Sequence, residues 1–236
     1  MPNSYFQFKQ FRIDQDQCAM KVSTEACLFG ALIDPGEATK LLDIGAGTGV
    51  LSLMIAQRSF LHVDAVEIDE LASEQAKRNV ARSKYSSRVK VHTSSIQAYS
   101  CDVKYDIIVS NPPFYTDGYK AVDQRRNRAM RAETLKFDEL ANSVNRLLKI
   151  EGVFWVLLPE HEMDRLTSLL YQMEFEKIAD ISIFNRTSDQ RIFRKVAAFT
   201  RNKLAGLQES TICIRDDNNR YSRDFVNLLK EYYLYL

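Results

Sequence analysis

Apolar residues fall along this chain in two alternating rhythms. Short runs such as Lys40-Leu41-Leu42-Asp43-Ile44 and Tyr105-Asp106-Ile107-Ile108-Val109-Ser110 are too brief for a helix and apolar enough for burial on both faces, as in a parallel sheet. The stretches between them carry apolar residues at helical spacing. The pattern predicts strands over 40–44, 61–67, 88–92, 105–110 and 153–158, the last closed by Pro159. Helices are expected over 50–58, 71–83, 133–149 and 161–173. Further on come strands over 175–184 and 192–200, a short strand over 211–214 and an amphipathic helix from about 222 to 235. Near the start, Phe6, Phe8, Phe11 and Ile13 alternate loosely with polar residues, which predicts one or two short strands. A helix over 25–33 follows, with Ser23 or Thr24 as its cap. Strand–helix alternation of this kind builds an α/β fold.

Two of the strands end in turns that suit chemistry. The strand over 40–44 runs into Asp43-Ile44-Gly45-Ala46-Gly47-Thr48-Gly49, where Gly45, Gly47 and Gly49 let the backbone approach a ligand closely. A dinucleotide fingerprint reads G-x-G-x-x-G and needs glycine where Val50 stands. The G-x-G-x-G spacing, with Asp43 just ahead of it, fits a methyl-donor turn better. The next strand ends in Glu67, well placed to accept hydrogen bonds from ribose hydroxyls, and Ile68 beside it offers an apolar surface to an adenine.

The strand over 105–110 delivers Asn111-Pro112-Pro113-Phe114. The N6 amine of adenine is a poor nucleophile because its lone pair is delocalised into the ring. An Asn oxygen can accept one amine hydrogen and a backbone carbonyl beside a proline the other. The lone pair is then aimed at an electrophilic methyl, so catalysis is largely positioning and electrostatics. Pro112 biases Asn111 towards extended backbone. Phe114 offers a flat face whose stacking on a base is worth roughly 1–3 kcal/mol. In isolation the four residues also read as a proline-rich turn with Phe114 packed inside; their place downstream of a glycine-rich turn argues for chemistry. Asn111, Pro112, Pro113 and Phe114 are the candidate catalytic set, and S-adenosylmethionine is the expected cofactor.

Composition narrows the setting. The 236 residues, 45% hydrophobic and 27% charged, suit one domain: a lead-in over 1–37, a core over 38–200 and an extension over 201–236. No apolar run approaches the ~20 residues that span a bilayer. No signal peptide is evident at the N-terminus, so the expectation is a cytoplasmic protein. Cys18, Cys27, Cys101 and Cys213 form no CxxC, and His62, His92 and His161 no ligand spacing, so no metal is expected. Nothing specifies the oligomeric state; a monomer is the expectation. A formal charge of +1 excludes a global field as the means of holding nucleic acid, leaving local patches. One is Lys120, Arg125, Arg126, Arg128 and Arg131 in the long connection after Phe114; another is Arg186, Arg191, Arg194 and Lys195.

Taken together, Phe8-Lys9-Gln10-Phe11, the stretch 15–22, the turn 43–49, Ala65-Val66-Glu67-Ile68-Asp69, the turn 110–114 and the tail 221–234 resemble the tRNA(Val) adenine-37 N6-methyltransferase family. The resemblance covers nearly the whole chain. It implies a class I, Rossmann-like methyltransferase sandwich with a seven-stranded, mostly parallel sheet whose last strand is antiparallel. It also implies S-adenosylmethionine over Asp43, Gly45, Gly47, Gly49, Glu67 and Ile68. Ser95 and Ile96 would face its adenine, Ser95 standing where many such enzymes carry an aspartate. Lys21 and Thr24 would close over its methionine end. The implied partner is tRNA, at an anticodon-loop adenosine that is already poorly paired and so costs little to turn outward. Enzymes acting on rRNA bases, DNA adenine or protein glutamine share Asn-Pro-Pro with an aromatic. They usually carry additional domains for which this sequence leaves no room. A non-catalytic RNA-binding module would be expected to have lost part of the two turns.

Overall fold

Side chains alternate across each central strand, so the sheet packs a separate core on each face. The protein is described by a computed structural model that covers residues 3–18, 20–113, 135–203 and 206–236. The elements are, in order, β1 (Tyr5–Gln7), β2 (Arg12–Asp14), α1 (Thr24–Leu32), β3 (Lys40–Ile44), α2 (Val50–Arg58), β4 (His62–Glu67), α3 (Glu70–Ala81), β5 (Val89–Thr93), β6 (Tyr105–Ser110), α4 (Phe137–Leu147), β7 (Leu148–Leu158), α5 (Glu160–Gln172), β8 (Glu176–Arg186), β9 (Arg194–Thr200), β10 (Gln208–Arg215) and α6 (Arg223–Leu229). Leu41, Val63, Ile107, Val109 and Leu157 face the core under α1, α2 and α6. Leu42, Val66, Ile108, Phe154 and Leu158 face the core under α4 and α5. This is a three-layer α/β sandwich.

The main sheet runs β10-β8-β9-β7-β6-β3-β4-β5. From β7 through β5 every neighbouring pair is parallel; β9 is antiparallel to both β7 and β8. The sheet therefore has eight strands where seven are expected. The addition is β10, which pairs in parallel with β8 over Gln208↔Ala179 to Arg215↔Arg186. Its buried Ile212 and Ile214 lie on the same core as Ile181 and Ile183 of β8, and its backbone covers an edge that β8 would otherwise leave open.

Two other boundaries depart furthest from expectation. β7 begins at Leu148 rather than 153, and α6 ends at Leu229 rather than near 235. Past α6 the chain turns back onto the N-terminal arm. Lys9 donates its backbone N–H to the Tyr232 carbonyl at 2.8 Å, and Phe8 forms an antiparallel bridge with Tyr233. Backbone groups that would continue the helix are spent on that pairing.

Gly152 in β7 is a packing requirement. A Cβ there would stand 2.9 Å from the Asp106 carbonyl oxygen and 2.8 Å from Leu148 Cδ1. Gly152→Ala is expected to lower unfolding free energy by about 1–3 kcal/mol, the usual cost of overpacking a tight site. Urea unfolding of the two proteins measures it.

Candidate active site

The site is set by register at the centre of the sheet. β6 lies beside β3 with Asp43 opposite Val109 and Ile44 opposite Ser110. Ser110 Oγ donates to the Ile44 carbonyl at 2.9 Å, holding the two strand ends together. Asn111 therefore leaves β6 level with Gly45 leaving β3. On the other side of β3, Ile44 pairs with Val66, so Glu67 ends β4 at the same edge. Chain order reverses between β3 and β6, with β4 and β5 on one side and β6 and β7 on the other. In open α/β sheets that crevice, outside the carboxyl ends of the strands, is where ligands bind.

Gly45, Gly47 and Gly49 have φ of 73°, 54° and 81°, the left-handed region that side chains resist. A Cβ on Gly45 or Gly47 would meet no atom of the described residues within 4 Å, so none of them fills the space in front of the turn. The turn is held from behind. Gly45 and Ala46 donate to the Val66 carbonyl at 2.9 and 3.2 Å. Glu67 is only 8% exposed; its Oε2 accepts from Gly47 N–H at 2.8 Å and its Oε1 from Asp69 N–H at 2.9 Å. Ile68 beside it is 52% exposed, unusual for an isoleucine at a strand end. After β5, Ile96 is buried, while Ser95 Oγ accepts from Ala98 N–H at 3.3 Å.

Asp43 is fully buried. Its Oδ2 accepts from Ser52 Oγ at 2.7 Å, and its Oδ1 has no hydrogen-bond partner among the described residues. Burial pushes its carboxyl up to about 6, with nearby Glu67 acting in the same direction and the Ser52 hydrogen bond opposing it. A carboxyl raised above its ordinary value favours the fold when protonated. That contribution is full below about pH 4 and is lost as pH rises through about 6. Unfolding free energies measured from pH 4.5 to 7.5 are expected to fall more steeply with pH for the wild type than for Asp43→Asn. Parallel curves would mean the carboxyl does not titrate in this window.

An orphaned acceptor, an open cradle and an exposed apolar side chain fit a ligand with N–H or O–H donors and a flat ring.

The N-terminal arm reaches this edge through two buried amides on α3 that the sequence does not announce. Asn79 accepts from Asp14 N–H and donates to the carbonyls of Asp14 and Thr48, each at 2.9 Å. Gln75 accepts from Gln17 N–H at 2.9 Å and donates to Asp16 at 2.6 Å. The arm is thus tied to the glycine turn itself. The available signal was the pair of amides one helical turn apart on an otherwise apolar face. Thr24 opens α1, whose cap Ser23 accepts from Ala26 N–H at 3.3 Å. Lys21 is exposed and donates to the Asn3 carbonyl at 3.3 Å; no contact joins it to Asp43 or Glu67 among the described residues. A third unannounced residue is Arg146 of α4. It donates to the carbonyls of Ile96 and Tyr99, both at 2.9 Å, and so holds the Ser95-Ile96 turn. Tyr99 is held in turn through Tyr105 and Asp64 to His92.

Asn111 and Pro113 are partly exposed and Pro112 is buried. Phe114, Lys120, Arg125, Arg126, Arg128 and Arg131 lie outside the described residues. Arg186 and Arg191 are exposed in the connection from β8 to β9, at the same edge of the sheet. Their expected companions face elsewhere: Arg194 lies 3.9 Å from Glu25, and Lys195 pairs with Asp180 at 2.7 Å. Among the described residues, no group of three or more His, Cys, Asp or Glu could hold a metal, and no helix is long and apolar enough to cross a membrane.

The methyltransferase small domain family matches residues 24–165. Over 240 residues the chain is 38% identical to a tRNA1(Val) (adenine(37)-N6)-methyltransferase of Dyadobacter fermentans, covering 98% of each. A protein of the same name from Bacteroides thetaiotaomicron is 37% identical over the full length of both chains. The chain belongs to the tRNA1(Val) (adenine(37)-N6)-methyltransferase family. Likeness to solved structures extends to the fold. A predicted O-methyltransferase from Agrobacterium tumefaciens superposes with a TM-score of 0.69 at 14% identity, over 87% of this chain and 95% of that one. The glycopeptide N-methyltransferase MtfA, in complex with S-adenosylmethionine, gives 0.56 at 14% identity over 75% and 92%. Membership in the family makes the chain an enzyme, a methyltransferase.

Proposed function

We propose that the chain uses S-adenosylmethionine to methylate the exocyclic N6 of adenine-37, beside the anticodon of tRNA(Val). The observation that carries the reading is the register that brings Asn111 level with Gly45 across the Ile44–Ser110 pair. An amine-orienting turn and a cofactor-type turn thereby share one crevice. The substrate comes from the names of relatives that match this chain end to end.

When bound, S-adenosylmethionine supplies an electrophilic methyl whose bond to sulfur breaks with the electron pair leaving on sulfur. Asp43 offers its unpartnered oxygen to a donor of the cofactor, and Glu67 its remaining lone pairs to the ribose hydroxyls. Ile68 packs on the adenine, and Ser95 and Ile96 border it. Lys21 and Thr24 close the methionine end. On the substrate side, the Asn111 side-chain oxygen accepts one N6 hydrogen and the Pro112 carbonyl the other, so the nitrogen lone pair points along the line of transfer. Pro113 stiffens the turn, and Phe114 stacks on the target base. The nitrogen is cationic after transfer and releases its extra proton to water, so no dedicated base is needed. Lys120, Arg125, Arg126, Arg128, Arg131, Arg186 and Arg191 contact phosphates of the anticodon arm. The protein acts as a monomer, and no metal takes part in this scheme.

The test is nucleoside analysis of tRNA from cells with and without the protein. N6-methyladenosine at the base beside one valine anticodon should vanish in its absence and return with purified protein plus S-adenosylmethionine. An unchanged tRNA profile with a methyl group missing from rRNA would leave the amine chemistry standing and overturn the substrate.

A further inference from the structure

We infer that the tail strand β10 serves to build a second phosphate-binding surface, with Arg220 and Arg223 joining Arg186 and Arg191 to grip the stem that closes the target loop. The inference rests on the tRNA reading above. It starts from the eighth strand. Because β10 runs parallel to β8, with Arg215 opposite Arg186, the connection after each strand opens on the same edge of the sheet as Asn111.

The two connections form one unit. Asp217 Oδ1 accepts from Ser188 N–H at 3.0 Å, joining loop to loop. The tail loop is stiff: Asp216 N–H donates to the Arg220 carbonyl at 2.8 Å, and Asn219 N–H to the Asp216 carbonyl at 3.0 Å. Behind it, Arg215 donates to the Asn219 carbonyl at 2.7 Å and lies 4.2 Å over the Tyr221 ring, which stacks on Phe225. A loop held this way loses little entropy when it binds.

Acidic residues are present, and most are occupied with the turns. Asp189 accepts from Arg186 N–H at 3.0 Å, and Asp216 from Arg220 N–H at 2.8 Å. Asp224 lies in the first turn of α6, where the helix favours an acid. Arg186, Arg191, Arg220 and Arg223 are exposed. None of the ion pairs among the described residues involves them. The aspartates keep their charge and Asp217 lies within electrostatic range of Arg186, so what the double loop offers a polyanion is four exposed bidentate donors rather than a strongly positive field.

Distance selects the part of the RNA. β8 is three strands from β6 and β10 is four, so the surface lies roughly 14–19 Å along the edge from Asn111 at ~4.8 Å per strand. That offset places the surface beside the backbone flanking the target base, on the side of the stem, where contact contributes affinity without reading bases.

The experiment compares wild type with R220E/R223E. Binding of a labelled tRNA(Val) transcript is followed by fluorescence anisotropy at several KCl concentrations, and S-adenosylhomocysteine binding by calorimetry. The variant is expected to bind tRNA at least 10-fold more weakly. Its plot of log affinity against log salt should be shallower by about 1.5–2, two phosphate contacts' worth. S-adenosylhomocysteine affinity should stay within about 2-fold. The neutral pair R220Q/R223Q should show the same loss of slope with a smaller loss of affinity. Unchanged tRNA affinity and slope, with cofactor-product binding intact, overturns this surface and leaves the function standing. A wild-type protein that binds no tRNA overturns both.

Discussion

Asn111→Ala is expected to reduce methyl transfer to tRNA by about 100-fold or more at saturating cofactor, the scale on which losing one well-placed polar group to a reacting centre is felt. Affinity for S-adenosylhomocysteine should stay within about 2-fold, because the acceptors proposed for the cofactor lie on β3 and β4, while Asn111 follows β6. The turn should survive the substitution. Pro112 restricts residue 111 to extended backbone whatever its side chain, and the Ser110 bond to the Ile44 carbonyl at 2.9 Å keeps the strand ends together. Asn111→Asp keeps an acceptor oxygen and is expected to retain more activity than the alanine variant. Single-turnover rates with calorimetry on the same preparations decide the matter. Equal losses in rate and in cofactor affinity would show that Asn111 supports the cofactor pocket and does not orient the amine.

Glu67→Ala should do the opposite, weakening S-adenosylhomocysteine by about 10- to 100-fold, the range for losing hydrogen bonds to a charged group. Two effects combine here. The carboxylate accepts from Gly47 N–H at 2.8 Å and Asp69 N–H at 2.9 Å, so it buckles the glycine turn to the start of α3. Its remaining lone pairs are the ones assigned to ribose. Glu67→Gln separates the two roles: a single carbonyl oxygen can serve one of the backbone donors, while its NH2 group faces the other. The glutamine variant should therefore fall between wild type and alanine. If Glu67→Ala binds S-adenosylhomocysteine like the wild type, the residue is a structural buckle and the ribose assignment fails.

Much of the fold was legible because its signals are local. β3 and β6 have the expected boundaries, since strands buried on both faces show as short apolar runs whatever their partners. The helix α2 was equally plain, opened by a glycine at φ 81° that no other residue adopts cheaply. The two chemical turns could be read for the same reason: glycine spacing and Asn-Pro-Pro constrain the backbone within a few residues. β10 was seen as a strand, but its pairing with β8 was not, because an edge strand's partner depends on which edge the rest of the sheet leaves open. The tail helix ends earlier than its pattern predicts, because apolar periodicity continues past Leu229 whereas the backbone there pairs with Phe8 and Lys9 more than 200 residues away.

The sequence by itself determined the groups available: which strands carry an acid, a glycine turn or an asparagine before two prolines, each encoded by residues next to one another. Only the tertiary structure decided how these meet. The reversal of strand order beside β3, the amides of Gln75 and Asn79 that tie the arm to the turn, and Arg146 holding the Ser95-Ile96 turn all join residues distant in sequence. Such contacts depend on register across the sheet and on the satisfaction of buried polar groups, and neither leaves a periodic mark along the chain.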